Sequence, residues 1–522
     1  MTVRSSLPFH DVLIVGFGPA GAVASAMLAA RGHSVLVIDR LTDVYDKPRA
    51  IALDHEILRH FDNMGIADKV LPFIEPFTAS QHFGADGQLI RRVDMVSPPY
   101  PLGYTPSMVF TQPPVEAALR DHAAGFDNLT IRLGVSLADL QQQDDHVLAS
   151  LKDADGAAFQ VKAKYVIGCD GASSTVRELV GIKLEDLVFD EPWLVVDVRV
   201  HPQYLEKLPQ TSAQFCNPAR PTSYVIGPNN HRRWEIMLLE GENPQDMQKP
   251  DNVWKLLAPW LTPEEGELWR AASYRFHALV ADDWRKGRVV IAGDAAHQQP
   301  PFIGQGMCQG LRDVSNLVWR LDRILKGQSG EHLLDSYTVE RKRHVETLTG
   351  KIKAIGQAIC ERDPQAAAAR DRKLLADGGG KPLVVTRQDI VPPLETGLIA
   401  NEGVAARGLL FPQPVILQDG KEVLLDKLTG PVWRLVLDGR VLNADAVKQA
   451  LALPQDIAVL AISPAADAQS VAALPERDGV MAQWFDKTGA SAALVRPDHY
   501  VFGAAKSQAA IGDLVREAFA VL

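Results

Sequence analysis

The sequence predicts an α/β fold: a parallel-sheet domain interrupted by an antiparallel sheet, then a second α/β unit at the C-terminal end. Three observations lead there. Residues 11–40 run strand, glycine-rich turn, helix, strand, the opening unit of a parallel sheet. Residues 80–110 and 187–240 change to short alternating segments divided by turns, as antiparallel strands do. After residue 361 the helical pattern gives way to Ala-rich, charged and finally glycine-rich sequence at Gly378-Gly379-Gly380, which marks a boundary.

In order along the chain, residues 12–15 form a continuous apolar run, as a strand buried on both faces requires. An Ala-rich helix follows the turn and stops near Gly32, and residues 35–38 return as a strand with Asp39 at its end. Residues 147–152 and 159–164 read as a hairpin, 165–169 and 288–292 as further buried strands, and 306–326 and 331–361 as helices. Strands are expected near 432–437, 457–462 and 492–496. The parallel-sheet domain is thus assigned 1–80, 113–186 and 281–365, the inserted sheet 81–112 and 187–280, a linker 366–395, and the last unit 396–522.

The 522 residues, 46% hydrophobic, suffice for two or three globular cores, and a net charge of −10 argues against a nucleic-acid partner. The four cysteines (Cys169, Cys216, Cys308, Cys360) form no CxxC and no zinc-spaced cluster, so neither disulfide framework nor metal site is expected. No apolar run is long enough to span a membrane, and MTVRSSLPFH does not read as a signal peptide, so a cytoplasmic protein with no membrane partner is expected.

Gly16-Phe17-Gly18-Pro19-Ala20-Gly21 is a GxGxxG between a strand and a helix. Its first glycine permits the tight turn, the second lets a pyrophosphate approach, and the third lets helix and strand pack closely. The helix N-terminus offers free N–H groups to phosphate. Asp39 is placed to accept hydrogen bonds from an adenosine ribose. This is a Rossmann-like dinucleotide site, but the motif alone does not separate FAD from NAD. A second segment does: an apolar strand leading to Gly293-Asp294-Ala295-Ala296-His297, then Pro300-Pro301-Phe302-Ile303-Gly304-Gln305-Gly306-Met307. Asp294 could bind a ribityl hydroxyl. The loop allows close approach to a flat ring and opens a helix whose N-terminus favours the negative charge of a reduced flavin. A second GxGxxG unit is absent, which argues against a reductase with two dinucleotide domains.

With Tyr165-Val-Ile-Gly-Cys-Asp170-Gly171-Ala-Ser-Ser-Thr-Val-Arg177 between them, these motifs resemble the single-component FAD-dependent aromatic hydroxylases, over about residues 10–350. Pro48-Arg49-Ala50 with Leu53-Asp54-His55-Glu56, the stretch from Gln214 to Pro221, His231-Arg-Arg-Trp-Glu-Ile-Met, and Gly304 to Asp313 resemble the 3-(3-hydroxyphenyl)propionate hydroxylase branch. The tail around Ala493-Leu-Val-Arg-Pro-Asp498-His-Tyr-Val resembles the thioredoxin-like C-terminal domain of the phenol hydroxylase group. It has no cysteine here, so a structural or dimerisation role, with a homodimer as one outcome, is expected.

The resemblance implies that Arg49 contacts pyrophosphate or ribityl, and that Gln112 and Asp294 hold the ribityl chain from opposite sides. Asp170 and Gly171 would serve FAD and the nicotinamide. Arg40, Val135, Pro301, Gly304, Gly306 and Met307 complete the expected cofactor contacts. The implied reaction uses NADH or NADPH to reduce FAD, then O2 and a flavin C4a-hydroperoxide to hydroxylate a phenolic acid such as 3-(3-hydroxyphenyl)propionate. Alternatives are a resorcinol, a polyketide or another aromatic ring, and more distantly a non-catalytic flavin-binding redox scaffold. His55, Tyr104 and Tyr224 are candidates for the phenolic proton, and Arg220 or Arg233 for a substrate carboxylate. His297 is expected to fix its loop, and Cys308 to pack.

Overall fold

The structure, a computed structural model, describes residues 7–401, 406–466 and 473–522. Among these residues the chain forms three large sheets and one small one.

The first sheet has eight strands, with Phe9–Val15 between Ala158–Gly168 and Val35–Asp39. These three pair in parallel, as do Val289–Ile291 and Leu129–Leu133 on either side. Val12, Leu13 and Ile14 are fully buried within one large apolar cluster built from this sheet and the elements packed on it. The helices Pro19–Ala29 and Gly306–Leu325 pack on this sheet through its apolar core. Residues 159–164 and 165–169, expected as separate strands, are one. Ala158–Gly168 pairs antiparallel with Val147–Lys152 along its first half and parallel with its other neighbours.

The second sheet has nine strands and is mixed, a correction to the purely antiparallel sheet expected. Leu184–Val200, His231–Met237 and Gly266–Ala281 form its antiparallel centre, but Ser212–Phe215 lies parallel to Ser80–Phe83. The expected linker 366–395 is a further correction. It holds the helix Pro364–Asp377 and the strand Leu383–Thr386, which pairs in parallel with Leu89–Asp94. Leu-Val-Val-Thr is apolar and β-branched enough to close a sheet edge, whatever the glycines before it suggest. Of the 81–112 stretch, Ser107–Phe110 leaves this sheet and pairs with Ala52–Asp54 and Ile74–Pro76.

The third sheet has seven strands, and the parallel pair Trp433–Asp438 and Ile457–Pro464 lies within it. Trp319 and Leu333 of the preceding helices share a core with Trp433, Leu435 and Phe502 of this last unit. Among the described residues no helix is long and apolar enough to cross a membrane.

Candidate active site

The glycine-rich turn joins the first strand to the Pro19–Ala29 helix. Gly16 has φ +99°, and a Cβ there would lie 2.4 Å from the Cys169 carbonyl oxygen. At Gly21 a Cβ would lie 1.9 Å from the Gly16 carbonyl oxygen, so helix and turn touch backbone to backbone. Gly18 is different: a Cβ there would meet nothing within 4 Å. Two glycines are required by the protein itself, and the third faces open space. Asp39 fastens the turn to the next strand end, accepting from the Phe17 N–H at 2.7 Å and the Leu41 N–H at 2.8 Å. The Val135 N–H donates to the Asp39 carbonyl at 2.9 Å, and Arg40 points to solvent. Both flank the turn without reaching the cavity described next.

That open space is a cavity of about 450 Å³. Gly18, Pro19, Ala20, Gly171, Gly293, Asp294, Pro301, Gly306 and Met307 line it from the first sheet and its loops. Val195, Arg233, Glu235, Arg270, Tyr274 and Phe276 line it from the second sheet, and Arg49 and Gln112 also border it. The Gln112 amide oxygen accepts from the Ala50 N–H at 2.6 Å and the Arg49 N–H at 3.2 Å, while its Nε2 donates to Glu116. Gln112 therefore shapes the loop that carries Arg49, whose own guanidinium is half exposed and 3.5 Å from Glu116.

Asp294 opens into the cavity and has no hydrogen-bond partner among the described residues. Desolvation in this recess raises its pKa, opposed by His297 and Arg49. Its loop is rigid. His297 Nε2 lies 2.7 Å from Asp313, which also accepts from the Gly293 N–H at 2.9 Å and from Arg341 Nε at 2.8 Å. The middle motif braces the same loop: Arg177 donates to the Ala295 and Ala172 carbonyls, while Asp170 accepts from Ser174 and the Val176 N–H. Asp170 is thus turned away from the cavity that Gly171 lines. Gly304 is a turn residue at φ +61°, also off the cavity. Behind it Arg312 binds Asp54 and Glu56, each at 2.5 Å, and the Gln305 amide oxygen at 2.8 Å. Burial alone would raise the Asp54 pKa, but Arg312 holds it down to about 2.

An open glycine at a helix N-terminus, an unpartnered acid on the facing loop and a second glycine-opened helix at Gly306 suit a dinucleotide carrying a flat ring. The comparisons with known proteins agree. Residues 10–351 match the family model described as FAD binding domain, and residues 408–520 match the HcaD C-terminal domain. A protein of Rhodococcus jostii (strain RHA1) named "Probable NADH-specific resorcinol 4-hydroxylase" is 36% identical over 98% of this chain and 95% of its own. This chain belongs to the FAD-dependent aromatic hydroxylases. A 3-(3-hydroxy-phenyl)propionate/3-hydroxycinnamic acid hydroxylase of Mycolicibacterium gilvum (strain PYR-GCK) is 32% identical over 96% of this hydroxylase and 90% of its own chain. The crystal structure of the flavin-dependent monooxygenase PieE with FAD and substrate shares the fold, at 19% identity with a TM-score of 0.81 over 98% of this chain and 99% of that one.

Within this hydroxylase most of the residues expected to meet substrate stand elsewhere. Tyr224 lies on the other face of its strand, fully buried against the Trp234 ring at 5.2 Å, because side chains alternate along a strand. Arg220 is off the cavity, gripped by both Glu242 oxygens at 2.9 and 2.7 Å and donating to the Met237 carbonyl. The Tyr104 hydroxyl donates to Asp62 at 2.6 Å, away from the cavity, and burial with Asp62 raises its pKa. His55 opens the helix His55–Asn63, buried beside the Arg312 cluster, and burial lowers its pKa. Cys308 is fully buried, and burial raises its thiol pKa.

Only Arg233 reaches the cavity, and it is already engaged. Its Nε and Nη2 donate to Asp197, Nη2 also donates to the Pro48 carbonyl, and Nη1 donates to the Arg49 carbonyl. Arg270 also donates to the Pro48 carbonyl, lies 3.5 Å from Asp197 and donates to the Tyr274 hydroxyl. Glu235, Arg270, Tyr274 and Phe276 were not singled out from sequence. The two-residue period of His231–Met237 was the available signal, since it puts Glu235 on the same face as Arg233.

Proposed function

We propose that this hydroxylase uses FAD, NADH and O2 to add one hydroxyl to a small phenolic ring, next to an existing hydroxyl, and that an uncharged diphenol of the resorcinol type is preferred. FAD, once reduced by NADH, supplies activated oxygen to the ring. The apolar Val195 and Phe276 and the Gly/Pro loop give the ring a confined place beside the cofactor region. One observation carries the substrate preference: both arginines expected to clamp a carboxylate, Arg220 and Arg233, are already paired with protein carboxylates, Glu242 and Asp197. Among the described residues Glu235 borders the cavity with a carboxyl that has no hydrogen-bond partner, which receives a hydroxyl donor and repels an anion. The name of the Rhodococcus relative supports both NADH and a resorcinol-like ring.

A second reading, a phenolic acid, is favoured by Arg275 and Arg49, half-exposed guanidiniums on the same wall that are paired to Asp190 and Glu116. Resorcinol, 3-(3-hydroxyphenyl)propionate and its amide separate the two. The first reading expects kcat/KM highest for resorcinol and similar for acid and amide; an acid preferred tenfold over its amide supports the second. We read residues 396–522 as a thioredoxin-like scaffold unit, supported by the parallel pair flanked by Ala492–Val495 and Val501–Ala505 with the helix Gln508–Ala520.

A further inference from the structure

We propose that Glu235 is the catalytic base of this site: its carboxylate takes the ring hydroxyl's proton as the new carbon–oxygen bond forms, and returns it as the ring regains aromaticity. The proposal rests on the phenol-hydroxylation reading above.

Glu235 lies at the centre of the second sheet, in register with Val195 on one side and Ser223 on the other. It is 6% exposed, borders the cavity, and has no hydrogen-bond partner among the described residues. Its buried acidic neighbour on the adjacent strand, Asp197, is committed. Asp197 is bound by His231, Arg233 and Arg270, and burial's upward push on it is overcome by Arg233, which holds it at about 2. A largely buried carboxyl that opens onto a cavity without a protein partner is free to hydrogen-bond a ligand there.

The charges around Glu235 suit proton exchange near neutrality. Arg233 faces it from its own strand, Asp197 from Leu184–Val200, and Arg270 and Tyr274 from Gly266–Ala281; Asp294, Arg49, Arg275 and His277 share the cavity. Burial, opposed by Arg233 and reinforced by Asp197, raises its pKa to about 7. A base with that pKa is ionised enough to accept a proton and basic enough to hold one.

The step balances. O2 supplies the transferred oxygen and the oxidising equivalents; its O–O bond breaks as the new C–O bond forms, and the two electrons that NADH gives through FAD leave with the second oxygen atom as water. A ring electron pair forms the new C–O bond, the phenolic O–H bond breaks with its pair becoming the ring C=O, and the proton goes to a Glu235 oxygen. The hydrogen at the newly oxygenated carbon then leaves as a proton that ends on the departing water, its C–H electron pair restores the ring, and the C=O pair returns to the carbonyl oxygen, which regains the proton from Glu235.

The test compares FAD-loaded wild type, Glu235→Gln and Glu235→Asp with resorcinol and with fluorinated phenols of lower pKa. NADH consumption, substrate-stimulated flavin reduction and product are followed from pH 5.5 to 8.5. Wild-type product formation should fall on the acid side of about pH 7. Glu235→Gln should lose that limb and form product about a hundredfold more slowly. Its flavin reduction should stay within threefold, so NADH is spent on H2O2. Fluorination should restore much of the Gln variant's product, because a more acidic phenol needs less help, and Asp should restore part. A Gln variant within threefold of wild type, or equally impaired with every phenol, overturns the assignment. So does a wild type with no acid limb, whether or not the variant folds. If wild type hydroxylates no phenol, the functional reading falls as well.

Discussion

Asp294 and Glu235 stand on opposite walls of one cavity and neither has a protein partner among the described residues. The first was legible in the sequence because a glycine-flanked acid at a strand end is a recognisable arrangement. The second was hidden inside Arg-Arg-Trp-Glu-Ile-Met, where only the strand's register tells which charges face inward. Tyr224 was misplaced for the same reason, its type being read without the face it occupies, whereas Arg220 lies in the loop before Thr222–Ile226 and is held there by Glu242. If Asp294 binds the cofactor through a charge-assisted hydrogen bond of about 1.5–3 kcal/mol, Asp294→Asn should weaken FAD binding roughly ten- to a hundredfold. Flavin fluorescence titration measures this, and an unchanged Kd would remove the contact. Glu235 also leaves a signature in stability. Its folded pKa of about 7 lies above its ordinary 4.5, so its contribution is fully present below pH 4.5 and lost as pH rises through 7. Glu235→Gln should therefore gain up to about 3 kcal/mol over wild type between pH 5 and pH 8. Urea unfolding of the substrate-free protein at both pH values reads it, and a pH-independent difference would contradict the shifted carboxyl.

At the scale of elements, the strand–turn–helix at residues 9–29 was readable because each glycine answers a separate steric demand. Gly18→Ala and Gly21→Ala should separate those demands. Gly18 has φ −70° and no protein atom within reach of a Cβ, so its alanine variant should unfold like wild type when free of FAD but bind FAD at least tenfold more weakly. Gly21→Ala pushes a Cβ into the Gly16 carbonyl and should destabilise the apoprotein itself. Equal apoprotein stability in both variants would mean the turn relaxes. The strand Leu383–Thr386 was not readable, because four residues beyond a glycine-rich turn acquire a role only from the sheet edge they meet.

At the scale of the molecule, the C-terminal unit is tied to the rest by buried ions that no local pattern announces. Asp426 accepts from Arg59 at 2.7 and 2.8 Å, from Asn63 at 3.0 Å and from Arg434 at 2.5 Å. Arg496 and Asp498 likewise join Glu340, Asn316 and Trp319. Asp426→Ala leaves two guanidiniums buried without their acid and should cost about 3–5 kcal/mol, measured by urea unfolding. A loss below 1 kcal/mol would show the unit to be only loosely docked. The mixed α/β character of the chain was legible because glycine and apolar periodicity mark it; the docking was not, since its partners lie more than a hundred residues apart in sequence. The central claim, that this cavity delivers one atom of O2 to a phenol, is tested most directly by turnover under 18O2 with NADH and resorcinol. One labelled oxygen in a product bearing one more hydroxyl is the expected result. NADH oxidation that yields only H2O2 with every phenol, or an unlabelled product, would contradict it.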